Sequence, residues 1–444
     1  MSRLIILGLD GASYKLLTDV TREGKLQNLQ KLFEMSSIYS LESVYPYVTA
    51  PAWASAFSGV NPGKHGVFDL LEYTDSKAAL PNYRRSSFPY LWDYLSWAGK
   101  KMIVAGIPFT YPAPAINGVF ITGRFVPNLS CYPEQLSKQL NLRGYDYSPL
   151  TNLSNHERIE TIIDRLRLRV ETSVHLLDTQ EYDVAIFVDS LPDAILHKNY
   201  DDKESIFKIF FIIDEWLNKI FHSIKQGDRL MVFSDHGFGE IHTVVNINEW
   251  LIRKGYIKVS RAKTLIAHKI LRFRQKPITS QIRVKVPGWP SGRPQPIPVP
   301  PPNAKAFAYR VEAMCWIKVL DQTCISTLLS ELNEFKQLGV VKNVLLTENL
   351  YNGDRKHEVP AQILIEPEDG VSMNPEEHNT GQIIRKLKKR RAGHLKTGVL
   401  LITGDKSEED SLHKASILDV TPTVLRMYKL PIPSFIDGKV LDIK

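Results

Sequence analysis

The sequence predicts an α/β protein with a largely parallel central sheet flanked by helices, and three observations carry that expectation. Short apolar runs recur along the chain at 4–8, 102–106, 184–189, 230–234 and 399–402. Runs this short and this rich in Ile, Val and Leu are strands buried on both faces. The stretches between them are long enough for helical crossovers, which parallel strands require. Acidic residues stand where three of the runs end: Asp10, Asp189 and Asp235. Open parallel sheets bind ligands at the carboxyl ends of their strands, so these three residues point to one site.

The elements follow in order. The opening run ends in Leu9-Asp10-Gly11, where glycine lets the backbone turn sharply at a strand end. No small-residue cleavage site follows, so the run reads as a first strand rather than a signal peptide. Residues 156–179 repeat apolar positions at helical spacing, with Ser154 and Asn155 ahead as caps, and form a surface helix leading into the 184–189 strand. Residues 276–303 hold nine of the 27 prolines, which no helix or central strand accommodates, so this segment is a loop or extended arm. With the basic, helix-like stretch 262–275 before it, the arm reads as an insertion. The expected organisation is 1–252 as the first part of the core, 253–305 as a basic, Pro-rich insertion, and 306–444 as the C-terminal part of the core.

Composition narrows the function classes. With 43% hydrophobic and 23% charged residues, the 444-residue chain is an ordinary globular protein rather than a disordered one. No apolar run approaches the ~18 residues a membrane span needs. Cys131, Cys315 and Cys324 make neither a disulfide framework nor a CxxC metal site. A cytoplasmic location is the expectation. The net charge of +8 is local: between Trp250 and Val311 stand 14 Lys or Arg and no Asp or Glu, while the other 42 of 56 basic residues face 48 acidic ones, a balance of −6. The basic segment makes an anionic lipid or membrane surface a candidate partner. No nucleic-acid-binding motif accompanies the charge, so specific nucleic-acid binding is not expected.

Five groups of residues carry chemistry. Asp10 closes the first strand. Thr49 stands two residues before Pro51 and a helical pattern, which places its hydroxyl at a helix N-terminus, where N–H groups favour an anion. Asp193 and His197, four apart, share one face of a helix and so could share a metal ion. Asp235-His236-Gly237 stands at a strand end, and His394 precedes the 399–402 strand. Taken singly, each has a bland reading as a cap, a surface contact or a structural histidine.

As an ordered set, a strand-end Asp, a Thr-x-Pro, an Asp-x-x-x-His, a Ser-Asp-His-Gly and a late His resemble the alkaline phosphatase superfamily. Within it the set is similar to the type I phosphodiesterase and nucleotide pyrophosphatase branch. The residues from Ile417 through Gly438 look like the closing segment of sulfatases and cofactor-independent phosphoglycerate mutases. The resemblance implies a metal-dependent phosphoester hydrolase, with Asp10, Thr49, Asp235 and His236 on one metal and Asp193, His197 and His394 on the other. Two divalent ions are implied, Zn2+ first and Mn2+ second, as suits mixed carboxylate and imidazole ligands. Thr49 is then the nucleophile, activated by coordination, and forms a phosphothreonine that water hydrolyses. The substrate implied is a phosphoester, most simply a phosphodiester. One departure stands out: where the nucleotide-cleaving members carry Asn three residues after the nucleophile, this chain has Ala52, followed by Trp53. Nucleotide specificity is therefore not implied.

Other readings are a phosphomutase or phosphotransferase, a sulfatase-like hydrolase, and an inactive metal-binding relative. A sulfatase requires Cys or Ser where Thr49 stands and Arg where Trp53 stands. Retention of all seven ligand positions argues against an inactive relative. His65 and Lys64 are read as packing behind the nucleophile loop rather than binding phosphate. Asp189 is either an orienter of a ligand histidine or a helix cap, and His242 and Asn246 stay undecided.

Overall fold

The computed structural model describes residues 2–22, 24–73, 77–83, 86–140, 142–146, 150, 153–258, 282–287, 289, 293, 295–376, 382–404 and 412–443. The apolar runs are strands of one nine-stranded sheet. Its order is His413–Ser416, Ser36–Glu42, Thr397–Thr403, Arg229–Phe233, Leu4–Leu9, Val184–Asp189, Met102–Ile107, Gly118–Thr122 and Cys131–Tyr132. The central strands are parallel, with Leu4–Leu9 paired to Val184–Asp189 on one side and to Arg229–Phe233 on the other. Thr397–Thr403, the last of the five predicted runs, instead lies antiparallel to both its neighbours. It follows the Ile384–Leu395 strand after a single residue, too short a link for the crossover a parallel strand needs.

Side chains alternate between the two faces, as the period of two requires. Ile5, Leu7 and Leu9 enter one core with the long helices Asn155–Thr179 and Lys203–Ser223. Leu4 and Ile6 enter the other with the helices Thr49–Ser58, Leu91–Trp97 and Val420–Met427. The Asn155–Thr179 helix starts with a capping box, Ser154 accepting from Glu157 N and Glu157 accepting from Ser154 N. Nine of its residues are buried, so it is a core helix rather than a purely surface one.

After residue 305 the chain builds a separate four-stranded antiparallel sheet, Ala306–Val311, Met314–Val319, Ile363–Pro367 and Val341–Leu346. Helices Ile247–Arg253 and Ile325–Gln337 share its core with Tyr47 and Val48, which lead into Thr49. A three-stranded sheet of Val371–Met373, Gly237–Val245 and Ile384–Leu395 carries His394 opposite Phe238. The basic stretch 262–275 lies outside the described residues. Two pieces of the Pro-rich arm, Ile282–Val284 and Gln295–Ile297, pair as a short antiparallel hairpin. Among the described residues, no helix is long and apolar enough to cross a membrane.

Candidate active site

Register puts the site at one level of the sheet. Leu9 pairs with Asp189 and Gly8 with Phe233, so Asp10 and Asp235 emerge side by side where their strands end. Gly11, at φ +75°, turns the chain away from Asp10 and donates its N–H to Asp235 Oδ1 at 3.2 Å. Thr49 is the first residue of the Thr49–Ser58 helix, after an extended Val48, and is 3% exposed beside Asp193 and His394. Asp193 and His197 lie in the helix Leu191–Asn199, His197 Nε2 being 3.2 Å from Asp193 Oδ1.

The predicted residues converge. His394 Nε2 stands 3.2 Å from Asp193 Oδ1 and 3.0 Å from His197 Nε2. His236 stacks on His394 with centroids 3.7 Å apart, and its Nε2 is 3.4 Å from Asp10 Oδ1 and 3.3 Å from Asp235 Oδ2. Two groups of three can each surround a cation: Asp193, His197 and His394, and Asp10, Asp193 and His236. Asp193 belongs to both groups.

The chemistry of these donors fits metal ions. Both carboxylate oxygens of Asp10, Asp235 Oδ2 and His236 Nε2 are buried with no hydrogen-bond partner. Unpaired buried acceptors cost several kcal/mol each, on the order of 1–3, unless a cation satisfies them. The histidines are oriented for ligation by their far nitrogens. A carbonyl can only accept, so His394 Nδ1 donates to Tyr47 O at 3.2 Å and His236 Nδ1 to Gly237 O at 3.1 Å. Each Nε2 lone pair then faces the cluster. Electrostatics agree. Burial, then the charges of Asp235 and Asp193, push the Asp10 carboxyl well above the carboxylate range, and burial and Asp193 do the same to Asp235. Burial opposes ionisation of Asp193, but His197 and His394 outweigh it and hold that carboxyl well below the usual range. Burial, then His394, holds His236 neutral.

Asp189 does not join the site. Its Oδ1 accepts from Leu191 N at 2.8 Å, capping the Leu191–Asn199 helix, and pairs with Arg169 at 3.1 Å. His65 is packed behind the nucleophile helix: its Nδ1 accepts from Val67 N and its Nε2 donates to Ser55 Oγ at 2.9 Å. Lys64 pairs with Asp437 at 2.6 Å. His242 bonds Thr243 and Asn246 bonds the Gln382 carbonyl, both apart from the cluster. Trp53, at 0% exposure, packs on Gly8 of the first strand and on Phe57 and Phe233.

Three residues at the site carried no usable signal in the sequence. Arg124 lies 4.0 Å from Asp193 Oδ2 and over the Phe125 ring. Glu312, at φ +50° in the hairpin turn after Ala306–Val311, lines the same cavity. Burial opposes its ionisation, yet the charges of His394 and His197 hold its carboxyl low. Asp69, buried with its oxygens accepting from Leu70 N and the Trp316 indole, is pushed up to about 7 by burial. A lone Arg or a turn Glu has no periodicity to mark it.

The structure is similar to phosphonoacetate hydrolase from Sinorhizobium meliloti, in complex with phosphonoformate, at 15% identity and TM-score 0.60, covering 95% of this chain and 94% of that one. It is similar to murine ectonucleotide pyrophosphatase / phosphodiesterase 5 at 12% identity and TM-score 0.56, covering 99% and 98%. The human form of that protein matches at 10% identity and TM-score 0.54, covering 100% and 97%. At these identities the likeness is one of fold. No curated protein matches the sequence. The family model for type I phosphodiesterase / nucleotide pyrophosphatase matches residues 4–288, which hold every site residue named from sequence except His394. The chain therefore belongs to the type I phosphodiesterase / nucleotide pyrophosphatase family, and is a phosphoester hydrolase of the alkaline phosphatase superfamily.

Proposed function

We propose that this protein is a phosphodiesterase that uses Thr49 as nucleophile beside two divalent cations, Zn2+ before Mn2+. The observation that carries the reading is the set of buried, unpartnered ligand atoms on Asp10, Asp235 and His236, next to the Asp193–His197–His394 group, which shares its cavity with Thr49. When bound, two such ions supply charge stabilisation for the attacking and departing oxygens of an in-line displacement. The chain's own residues do the rest. The extended Val48 and the helix start fix Thr49, and the Tyr47 carbonyl that orients His394 lies two residues before it. Thr49 Oγ1, giving up its proton, forms the new bond to phosphorus as the bond to one ester oxygen breaks and that alcohol departs, and water then releases the remaining phosphate monoester and restores the threonine. Asp193, a member of both groups, would serve as a ligand on either side. The murine relative in complex with AMP is an inactive threonine-to-alanine variant, which is in keeping with a threonine nucleophile. Three free cysteines, two of them buried, suit a reducing, cytoplasmic setting.

The test is metal analysis together with turnover of a panel of phosphate diesters, monoesters, sulfate esters and phosphonoacetate. Close to two ions per chain and a preference for diesters are expected. Thr49→Ala should lose several orders of magnitude in kcat with metal retained, and Thr49→Ser should keep part of the activity. A folded protein that takes up no Zn2+ or Mn2+, or near-normal turnover of Thr49→Ala, overturns the reading.

A further inference from the structure

The cavity beside Thr49 has a volume of about 480 Å3, far more than a phosphoryl group fills. Asp193, His197, His394 and Glu312 line it together with Arg124, Arg158, Lys198 and Arg310. Two further arginines on the cavity have set duties, Arg165 pairing with Asp146 at 3.1 Å and Arg169 with Asp189 at 3.1 Å. Arg158 lies on the same face of the Asn155–Thr179 helix as Ile162, and Arg310 donates its Nε to the Glu312 carbonyl at 3.0 Å. Of the acidic groups on the cavity, Asp193 and Glu312 face the histidines, and burial keeps Asp69 protonated more readily than an ordinary carboxyl. Asp69 and Asp193 make no ion pair with Arg158, Lys198 or Arg310 among the described residues, while the Arg310 charge, after those of His394 and His197, favours the ionised Glu312.

Phe125 and Trp289 give the cavity an aromatic wall. Phe125 stacks on Phe109 at 4.8 Å, and Trp289 packs on Phe125 with centroids 5.8 Å apart. Trp289 belongs to the Pro-rich arm, so that arm reaches the active-site cavity. Lys198 and Arg310 also line an adjoining groove that continues to Lys389 and Arg391 on the Ile384–Leu395 strand. Of the acidic residues on that groove, Asp202 is engaged in capping the Lys203–Ser223 helix.

We propose that the substrate is a phosphodiester with two anionic centres: the diester at the Asp/His cluster, and a second anionic group, carboxylate or phosphate, held by Arg158, Lys198 and Arg310. An apolar or aromatic portion of the same molecule spans the distance against Phe125 and Trp289. This rests on the phosphodiesterase reading. Guanidinium groups suit the task because they engage carboxylate or phosphate oxygens with two parallel hydrogen bonds. An aromatic wall stabilises a flat or apolar spacer without specifying polar contacts.

The test compares three chromogenic diesters that share the p-nitrophenolate leaving group: the phenyl, 4-carboxyphenyl and 4-phosphonophenyl esters of p-nitrophenyl phosphate. The metal-replete enzyme is expected to prefer the two anionic esters by about tenfold or more in kcat/KM, mostly through KM, with the preference shrinking as salt rises. Comparing the carboxyl and phosphono arms tells which anion the site takes. In Arg158→Gln/Arg310→Gln the ratio of anionic to phenyl ester should fall towards one. Trp289→Ala should lower kcat/KM for all three esters while leaving the ratio. Equal turnover of the three esters by the wild-type enzyme overturns the inference, as does a ratio unchanged in the double variant. Turnover of none of them removes the phosphodiesterase reading, and the inference with it.

Discussion

Gly8→Ala tests how the first strand positions the nucleophile helix. A Cβ built on Gly8 would lie 2.5 Å from Trp53 Cη2, 2.9 Å from its Cζ3 and 3.0 Å from Val188 Cγ2. Ordinary contact begins near 3.4 Å, so the indole must retreat by about 0.9 Å. Trp53 is fully buried, with Phe57 and Phe233 packed on it at 5.8 and 5.2 Å, and has no space to yield. Overpacking of this kind costs about 1–3 kcal/mol. Trp53 also sits one turn after Thr49 in the same helix. A displacement approaching 1 Å at a reacting group can cost about a hundredfold in rate. The variant should therefore lose about 2 kcal/mol in denaturant unfolding and a larger factor in kcat than its stability loss implies. Gly8→Ala/Trp53→Phe should recover part of both, with a coupling energy of at least about 1 kcal/mol in the double-mutant cycle. Wild-type stability for Gly8→Ala, or strict additivity in the cycle, would refute this packing account.

Three other perturbations follow from the same interior. Burial, with Arg355 adding to it, lowers His65 to about 3, so the fold holds it neutral. With the folded value below the unfolded ~6.5, this contribution is present above pH 6.5 and is lost as pH falls towards 3. The stability gap between wild type and His65→Gln should therefore shrink by about 1.4 kcal/mol per pH unit below 6.5, and a gap constant from pH 6.5 to 4 would contradict it. Asp235→Asn removes one of three clustered carboxylates, so in chelator the variant should be at least as stable as wild type. In excess Zn2+ the order should reverse, because binding at a hundred times Kd adds about 2.7 kcal/mol to wild type; thermal melts with and without metal read this, and an unchanged order counts against the ligand role. Arg169→Leu leaves Asp189 buried without its cation and should cost about 3–5 kcal/mol in unfolding, with Arg169→Leu/Asp189→Asn regaining part; a neutral single variant would contradict the buried pair.

The local features of this protein were written in its sequence. Short, continuous apolar runs marked the strands of the central sheet, and the strand-end positions of Asp10 and Asp235 followed from where those runs stop. The four-residue spacing of Asp193 and His197 requires only a helix to bring them together, and the helix Leu191–Asn199 forms there. Even the bland reading of His65 was available, since a histidine between glycines behind a packed helix has a partner within a few residues.

What depends on distant pieces of chain was not legible. Asp189 has the same strand-end signature as Asp10, yet Arg169, twenty residues away on a helix, takes it out of the site. The antiparallel course of Thr397–Thr403 comes from its hairpin-like link to the preceding strand, not from its composition. The sharing of Asp193 between two ligand groups, the approach of Arg124, and the turn that presents Glu312 all arise from packing one sheet against another. So does the placement of Trp289 on Phe125, which turns a proline-rich segment into a wall of the active-site cavity. A sequence specifies each residue's local geometry through short-range sterics and periodicity, whereas the meeting of charges from separate elements is decided only when burial forces them into one volume.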